Sequence, residues 1–233
     1  MTISFPDAVS SQTSSTDINP GTNDLSHTVT SGTTLLLAFI AGRGNESLSG
    51  VTWNSVGMTK IIDLNASSDN VDAGGSIWGL ISPTPATADF EFTSATTNWV
   101  WHIKGGVNVH GTNTDSVAAA ISNLTLDENT TATNTSVHAS GGTAGNWLLF
   151  FGVGIGDDMI PASNNASFNE LAELNSGGGS GSGSDGSVYL ADKTGVSAIN
   201  VTWGATDENA GGLFEIVVGA GNTTIEVPTG PWY

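Results

Sequence analysis

The chain has 233 residues, 22 of them acidic against 4 Lys and Arg, for a formal net charge of −18. Arg43, Lys60, Lys104 and Lys193 stand singly along it. No basic stripe exists to displace counterions from a nucleic-acid backbone, and the same repulsion sets the chain against an anionic membrane surface. Only 11% of residues are charged while 38% are hydrophobic and 31 are glycine. Together with abundant Ser, Thr and Asn, that mixture suits strands and turns better than helices, in one large all-β domain. Cysteine is absent, so disulfides, thiolate metal clusters and a cysteine nucleophile are excluded and the core must hold by packing.

In chain order, Met1-Thr2-Ile3-Ser4-Phe5-Pro6-Asp7 has neither a basic nor an apolar segment of the secretory type. Residues 1–25 are expected to form an N-terminal arm, with Phe5 as a partner-contact residue. Leu35 to Ala41 is a continuous apolar run, as is Trp147 to Val153. Both, at seven residues, are about a third of the roughly 20 that a membrane span needs, so a soluble protein is expected. Bounded by Gly or polar residues, they read as central strands covered on both faces. Trp53, in Val51-Thr52-Trp53-Asn54, is expected near a loop. Asp69, Asn70 and Asp72 place three oxygen donors within four residues and make a candidate calcium loop.

Asp89-Phe90-Glu91-Phe92-Thr93, Trp99-Val100-Trp101-His102-Ile103-Lys104 and Ile199-Asn200-Val201-Thr202-Trp203 alternate with period 2, as half-buried antiparallel strands do. Ser167 to Leu174, closed by Asn175 and a glycine run, has apolar spacing that allows two turns of helix. Ser176 to Gly186 is a glycine-serine loop, and residues 222–233 form a tail whose Trp232 and Tyr233 are expected to dock on this chain or on a neighbour.

Four strand-like segments recur in the same order at nearly constant separation. Thr34-Leu35-Leu36-Leu37-Ala38-Phe39 pairs with Asn146-Trp147-Leu148-Leu149-Phe150-Phe151, and Gly75-Ser76-Ile77-Trp78 with Gly186-Ser187-Val188-Tyr189. Phe90-Glu91-Phe92-Thr93 pairs with Ile199-Asn200-Val201-Thr202, and Trp101-His102-Ile103 with Phe214-Glu215-Ile216. A half alone would leave an apolar sheet face wet, at about 1.5–3 kcal/mol for each large side chain, so two half-repeats, about 26–110 and 137–221, should pack face to face. The expectation is an all-β, eight-stranded, jelly-roll-like antiparallel β-sandwich built from two pseudo-repeats of about four strands, spanning 26–221.

The chemistry-bearing residues form no motif. His27, His102, His110 and His138 are far apart, and the Gly105-Gly106 pair resets register between the middle two. No Gly-x-Ser-x-Gly elbow joins a strand to a helix. Asp127-Glu128, Asp157-Asp158 and Asp207-Glu208 supply carboxylates, but spacing in sequence does not place two of them about 5–9 Å apart across a sugar. No catalytic residue and no cofactor beyond the calcium candidate is expected.

Gly32-Thr33-Thr34-Leu35-Leu36-Leu37-Ala38-Phe39, then Val51-Thr52-Trp53-Asn54-Ser55-Val56-Gly57-Met58-Thr59-Lys60, then Ile77-Trp78-Gly79-Leu80-Ile81-Ser82-Pro83 resemble jelly-roll and sandwich structural proteins of tailed bacteriophages: head decoration, tail and fibre components. The resemblance covers roughly residues 25 to 221 and supplies no active-site position. It implies a virion protein, not an enzyme, most simply a capsid decoration protein. Such a protein would be made in the host cytoplasm and would contact the major capsid protein or other virion proteins through Phe5, Trp232 and Tyr233, as a homo-oligomer, a trimer by resemblance. The absence of disulfides on a β framework suits such a history. A glycan-binding fibre or adhesin module, with Trp53 stacking on sugar, is the alternative, and a glycoside hydrolase the third reading.

Overall fold

The computed structural model describes residues 2–14, 25–43, 48–65, 73–94, 102–129, 134–137, 146–155, 169–176, 186–194, 199–202 and 209–220. They form sixteen strands and one short helix. The first nine strands are β1 (Ser10–Ser14), β2 (Leu25–Val29), β3 (Thr33–Arg43), β4 (Leu48–Trp53), β5 (Val56–Gly57), β6 (Thr59–Asn65), β7 (Ala73–Ile81), β8 (Ala86–Ser94) and β9 (His102–His110). Helix α1 (Val117–Ala120), capped by the Ser116 hydroxyl, leads into the rest. These are β10 (Ile121–Asn129), β11 (Asn134–Val137), β12 (Trp147–Ile155), β13 (Asn169–Asn175), β14 (Gly186–Thr194), β15 (Ile199–Thr202) and β16 (Asn209–Ile216).

The protein is all-β and its named strands pair antiparallel throughout. One five-stranded sheet runs β1-β9-β3-β7-β6 and a second runs β10-β16-β12-β14-β13, with smaller sheets β2-β8-β4-β5 and β11-β15. The two large sheets have the same order, strand for strand. The repeated strand order spans five strands, not the expected four, and each large sheet is accompanied by a smaller one. β1 lies within the stretch expected as an arm, and the second half begins at β10, ahead of the expected boundary.

The two apolar runs are the middle strands of their sheets, as their lack of alternation requires. Leu35, Leu37, Phe39 and Ala41 of β3 face a core that also holds Leu149, Phe151 and Val153 of β12, Val188 and Leu190 of β14, and Phe214 and Ile216 of β16. This shared interior lies between the two large sheets. The alternate residues Leu36, Ala38 and Ile40 face a second core with Val51, Trp53, Phe90 and Phe92 of the four-stranded sheet. On β12 the alternate residues Leu148 and Phe150 are buried likewise, Phe150 against the Tyr189 ring at 6.3 Å.

Across the shared interior β7 touches β12 and β16, β14 touches β3 and β9, and β6 touches β16 and β10. The ladders give the register between the two sheets. β6 and β13 each carry a bulge, at Ile61 and at Leu171, against β7 and β14. With those two aligned, Phe39 matches Phe151, Ile77 matches Leu190, and Gly105 matches Gly212. Asn108, and not His102, is then the counterpart of Glu215.

The segment from Ser167 to Leu174 does not form a helix where it is described; Asn169–Asn175 is strand β13. The bulge explains the misleading spacing, because an extra residue at Leu171 slips the period-2 alternation by one and puts Leu171, Ala172 and Leu174 at helix-like intervals. Ile61, Ile62 and Leu64 repeat the pattern on β6.

Candidate functional site

A connected polar group lies in the first half, where three strands and the segment before β1 meet. Asn108 of β9 is 1% exposed, and its side-chain amide donates to Asp7 Oδ2 at 2.9 Å and to the Thr28 carbonyl at 2.8 Å. Its oxygen must then face His27 Nε2, which lies 3.1 Å away. An amide oxygen only accepts, so Nε2 carries the proton of the neutral ring, and Nδ1 accepts from the Ser10 hydroxyl at 2.7 Å. Thr30 donates a further hydrogen bond to Asp7 at 2.7 Å.

The electrostatics agree with this polarity. Hydrogen bonds from Thr30 and Asn108 hold the Asp7 carboxyl below its ordinary value. Burial pushes His27 below its ordinary value, opposed by its bond to Asn108 and by the Asp7 charge. The ring is 4% exposed and lies 5.4 Å from Phe90.

Ser10, His27 and Asn108 thus stand in the order hydroxyl, base and orienting group that nucleophilic catalysis uses. Structurally the same chain ties β1 and the segment before it to β2 and β9, across both sheets of the first half. No sequence motif announces it, because its members are separated by 17 and 81 residues along the chain.

The residues singled out from sequence fall as follows. Asp69, Asn70, Asp72, Trp232 and Tyr233 lie outside the described residues, as does His138. Trp53 is 1% exposed, in the core between β3 and the four-stranded sheet, so it offers no face for a sugar. Its position at the end of β4, before the tight Asn54-Ser55 turn with φ of 49° and 62°, gave it the look of a loop residue. Phe5 packs edge-on against Trp147 of the same chain, ring centroids 5.9 Å apart, and so meets a neighbouring sheet of its own protein.

His102 is fully buried on β9. Among the described residues no group of three or more His, Asp or Glu is placed to hold a metal ion, and no helix is long and apolar enough to cross a membrane.

A second feature is a half-open cavity of about 160 Å³ where the linker between the halves passes the chain end of β16, lined by Thr34, Thr112, Asn113, Thr114, Asp115 and the Gly219-Ala220 pair. Thr34 Oγ1 is committed there, donating to the Val109 carbonyl and bonded to the Thr112 amide and hydroxyl. The Asn113 side-chain oxygen accepts from the Asp115 amide at 2.8 Å. Compared with known proteins, the chain matches no family model, no curated protein and no solved structure.

Proposed function

We propose that this chain is a virion structural protein of a tailed bacteriophage, a capsid decoration protein that acts by protein–protein contact and not by catalysis. The observation that carries the reading is the doubling of one strand order about a shared apolar interior. In the first half, β1-β9-β3-β7 facing β2-β8-β4-β5 is the order of an eight-stranded jelly roll, and β10-β16-β12-β14 with β11-β15 repeats most of it. We therefore read the chain as two jelly rolls locked face to face, each larger than the half-sandwich expected from sequence.

Such a block is stiff, because both large sheets are buried by each other. Its remaining surfaces are available for neighbours, with the major capsid protein or other virion proteins as partners and a homo-oligomer as the working form. The acidic surface keeps free particles apart in solution.

The test is made on particles. Virions lacking the protein should lose DNA on heating or dilution under conditions that the complete particle survives, and adding the purified chain back should restore them. A reconstruction should place it on the shell. Virions without it that are as robust as the complete ones would end the cementing role.

A further inference from the structure

We propose that the four-stranded sheet is an acid-released cover: protonation of His102 frees β2-β8-β4-β5 from the face of β3 and β9 beneath it, while the interior shared by the two large sheets stays closed. Alternate residues of β9 point to opposite cores. Ile103, Val107 and Val109 belong to the shared interior. His102 and Lys104 pair with Gly42 and Ile40 of β3 and therefore share the Ile40 face, under the four-stranded sheet. Lys104 is fully buried, its Nζ 5.2 Å from the centroid of the Phe92 ring of β8. His102 is fully buried as well, and both of its ring nitrogens lack a hydrogen-bond partner among the described residues.

A neutral imidazole in that place leaves one donor and one acceptor unmade. Protonated, it would present two donors and a positive charge on the same face as the Lys104 ammonium, so the closed state resists the proton. Burial and then the Lys104 charge push the ring down to about 4. Once the cover lifts, the ring reaches water and titrates near its ordinary 6.5, and acid therefore drives the opening. His27 on β2 works in the same sense, since burial holds it below its ordinary value against the Asn108 bond and the Asp7 charge. No described carboxylate is buried in this core to offset the charge. β1, β2 and β4 carry no titratable residue but His27, Asp89 and Glu91 lie on the exposed face of β8, and Arg43 ends β3 on the face of Phe39 and Ala41.

Two features confine the opening to this core. The cover is a sheet of its own, so lifting it gives up side-chain packing and the His27 links to Ser10 and Asn108 but breaks no ladder of the large sheet. The shared interior, for its part, responds to acid with the opposite sign. Its buried titratable group among the described residues is Asp192, on the face of β14 that carries Val188 and Leu190, and burial pushes that carboxyl up to about 6. Acid removes a buried charge there and strengthens the closed state. One fall in pH thus loosens the outer core of the first half and tightens the interior between the halves. The device belongs to the isolated chain and stands apart from any role on a particle.

The experiment is hydrogen exchange on the full chain at pH 7 and pH 4.5, read strand by strand as protection factors. Protection in β2, β4 and β8 should fall on the order of 50-fold between the two, the ratio for one group that titrates near 4 when closed and 6.5 when open. β12, β14 and β16 should keep theirs. His102→Phe should remove most of the fall in β2, β4 and β8. A loss of protection common to all strands, no change in β2, β4 and β8, or a fall that His102→Phe leaves in place would each overturn the proposal. The first two are read on the wild type and decide the matter even where the variant does not fold.

Discussion

Phe39 and Phe151 occupy equivalent positions in the two large sheets and meet at a tilt across the shared interior, ring centroids 5.9 Å apart and planes at 50°. Each sits opposite a glycine, Gly105 or Gly212, on the adjoining strand. A Cβ at Gly105 would fall within the Phe39 ring, so the glycine is what lets the ring lie flat over β9 and reach its twin. Gly105→Ala should therefore destabilise the protein by about 1–3 kcal/mol through overpacking. Phe39→Leu should relieve much of that cost, and chemical denaturation of both single variants and the double variant should reveal the coupling. Phe151→Ala should cost about 3–5 kcal/mol.

Asp192 is the counterpart of Gly79 and lies 2% exposed on the face of β14 that also carries Val188 and Leu190. Burial pushes its carboxyl up to about 6, with a bond to Asn169 working against the shift. The folded protein thus keeps a proton that the unfolded chain gives up near 3.8, so this group's contribution to stability falls as pH rises from about 4 to 6 and stays low above that. Asp192→Asn should raise stability at neutral pH by up to about 3 kcal/mol, a gain that fades below pH 4. Thermal melts across that range read it directly.

His102 gives the opposite sign. It is fully buried, and neither ring nitrogen has a hydrogen-bond partner among the described residues. Burial, and then the Lys104 charge, push it down to about 4. The unfolded chain takes up a proton near 6.5 that the folded protein refuses, so stability is lost as pH falls from 6.5 to 4, by about 3 kcal/mol in all. His102→Phe should flatten this acid limb. Urea midpoints at neutral pH and near pH 4.5 should differ less in the variant than in the wild type.

The Ser10–His27–Asn108–Asp7 chain should behave as an anchor. Asn108→Ala removes the partner of His27 Nε2–H and one donor to Asp7, costing about 1–3 kcal/mol for each group left unpaired in the interior. Hydrogen exchange should quicken first along β1, the edge strand that the chain ties down. A serine-directed fluorophosphonate should leave Ser10 unmodified. An adduct at Ser10 that depends on His27 would make the group a catalytic one.

Much of the architecture was legible in single segments. Leu35 to Ala41 and Trp147 to Val153 lack alternation because both of their faces are covered, and a strand of that kind can only sit inside a sheet. The recurrence of four segments set β3 against β12, β7 against β14 and β9 against β16, which hold the same places in the two large sheets, yet it set His102 against Glu215 and Trp78 against Tyr189. Both errors are slips by an even number of residues. In a period-2 structure such a slip keeps every side chain on its correct face, so hydrophobic pattern alone does not detect it. The bulges at Ile61 and Leu171 do, because one extra residue breaks the phase at a single point in each half.

By itself, then, the amino-acid order determined the all-β class and the middle strand of each large sheet, since these follow from local periodicity and from apolar surface that must be covered. Only the tertiary structure decided the register of the repeat, the burial of Trp53, the meeting of Phe5 with Trp147, and the polar chain from Ser10 to Asp7. Each of these depends on residues far apart in sequence reaching one place, and that placement is set by backbone hydrogen-bond ladders, whose donors and acceptors are the same at every position.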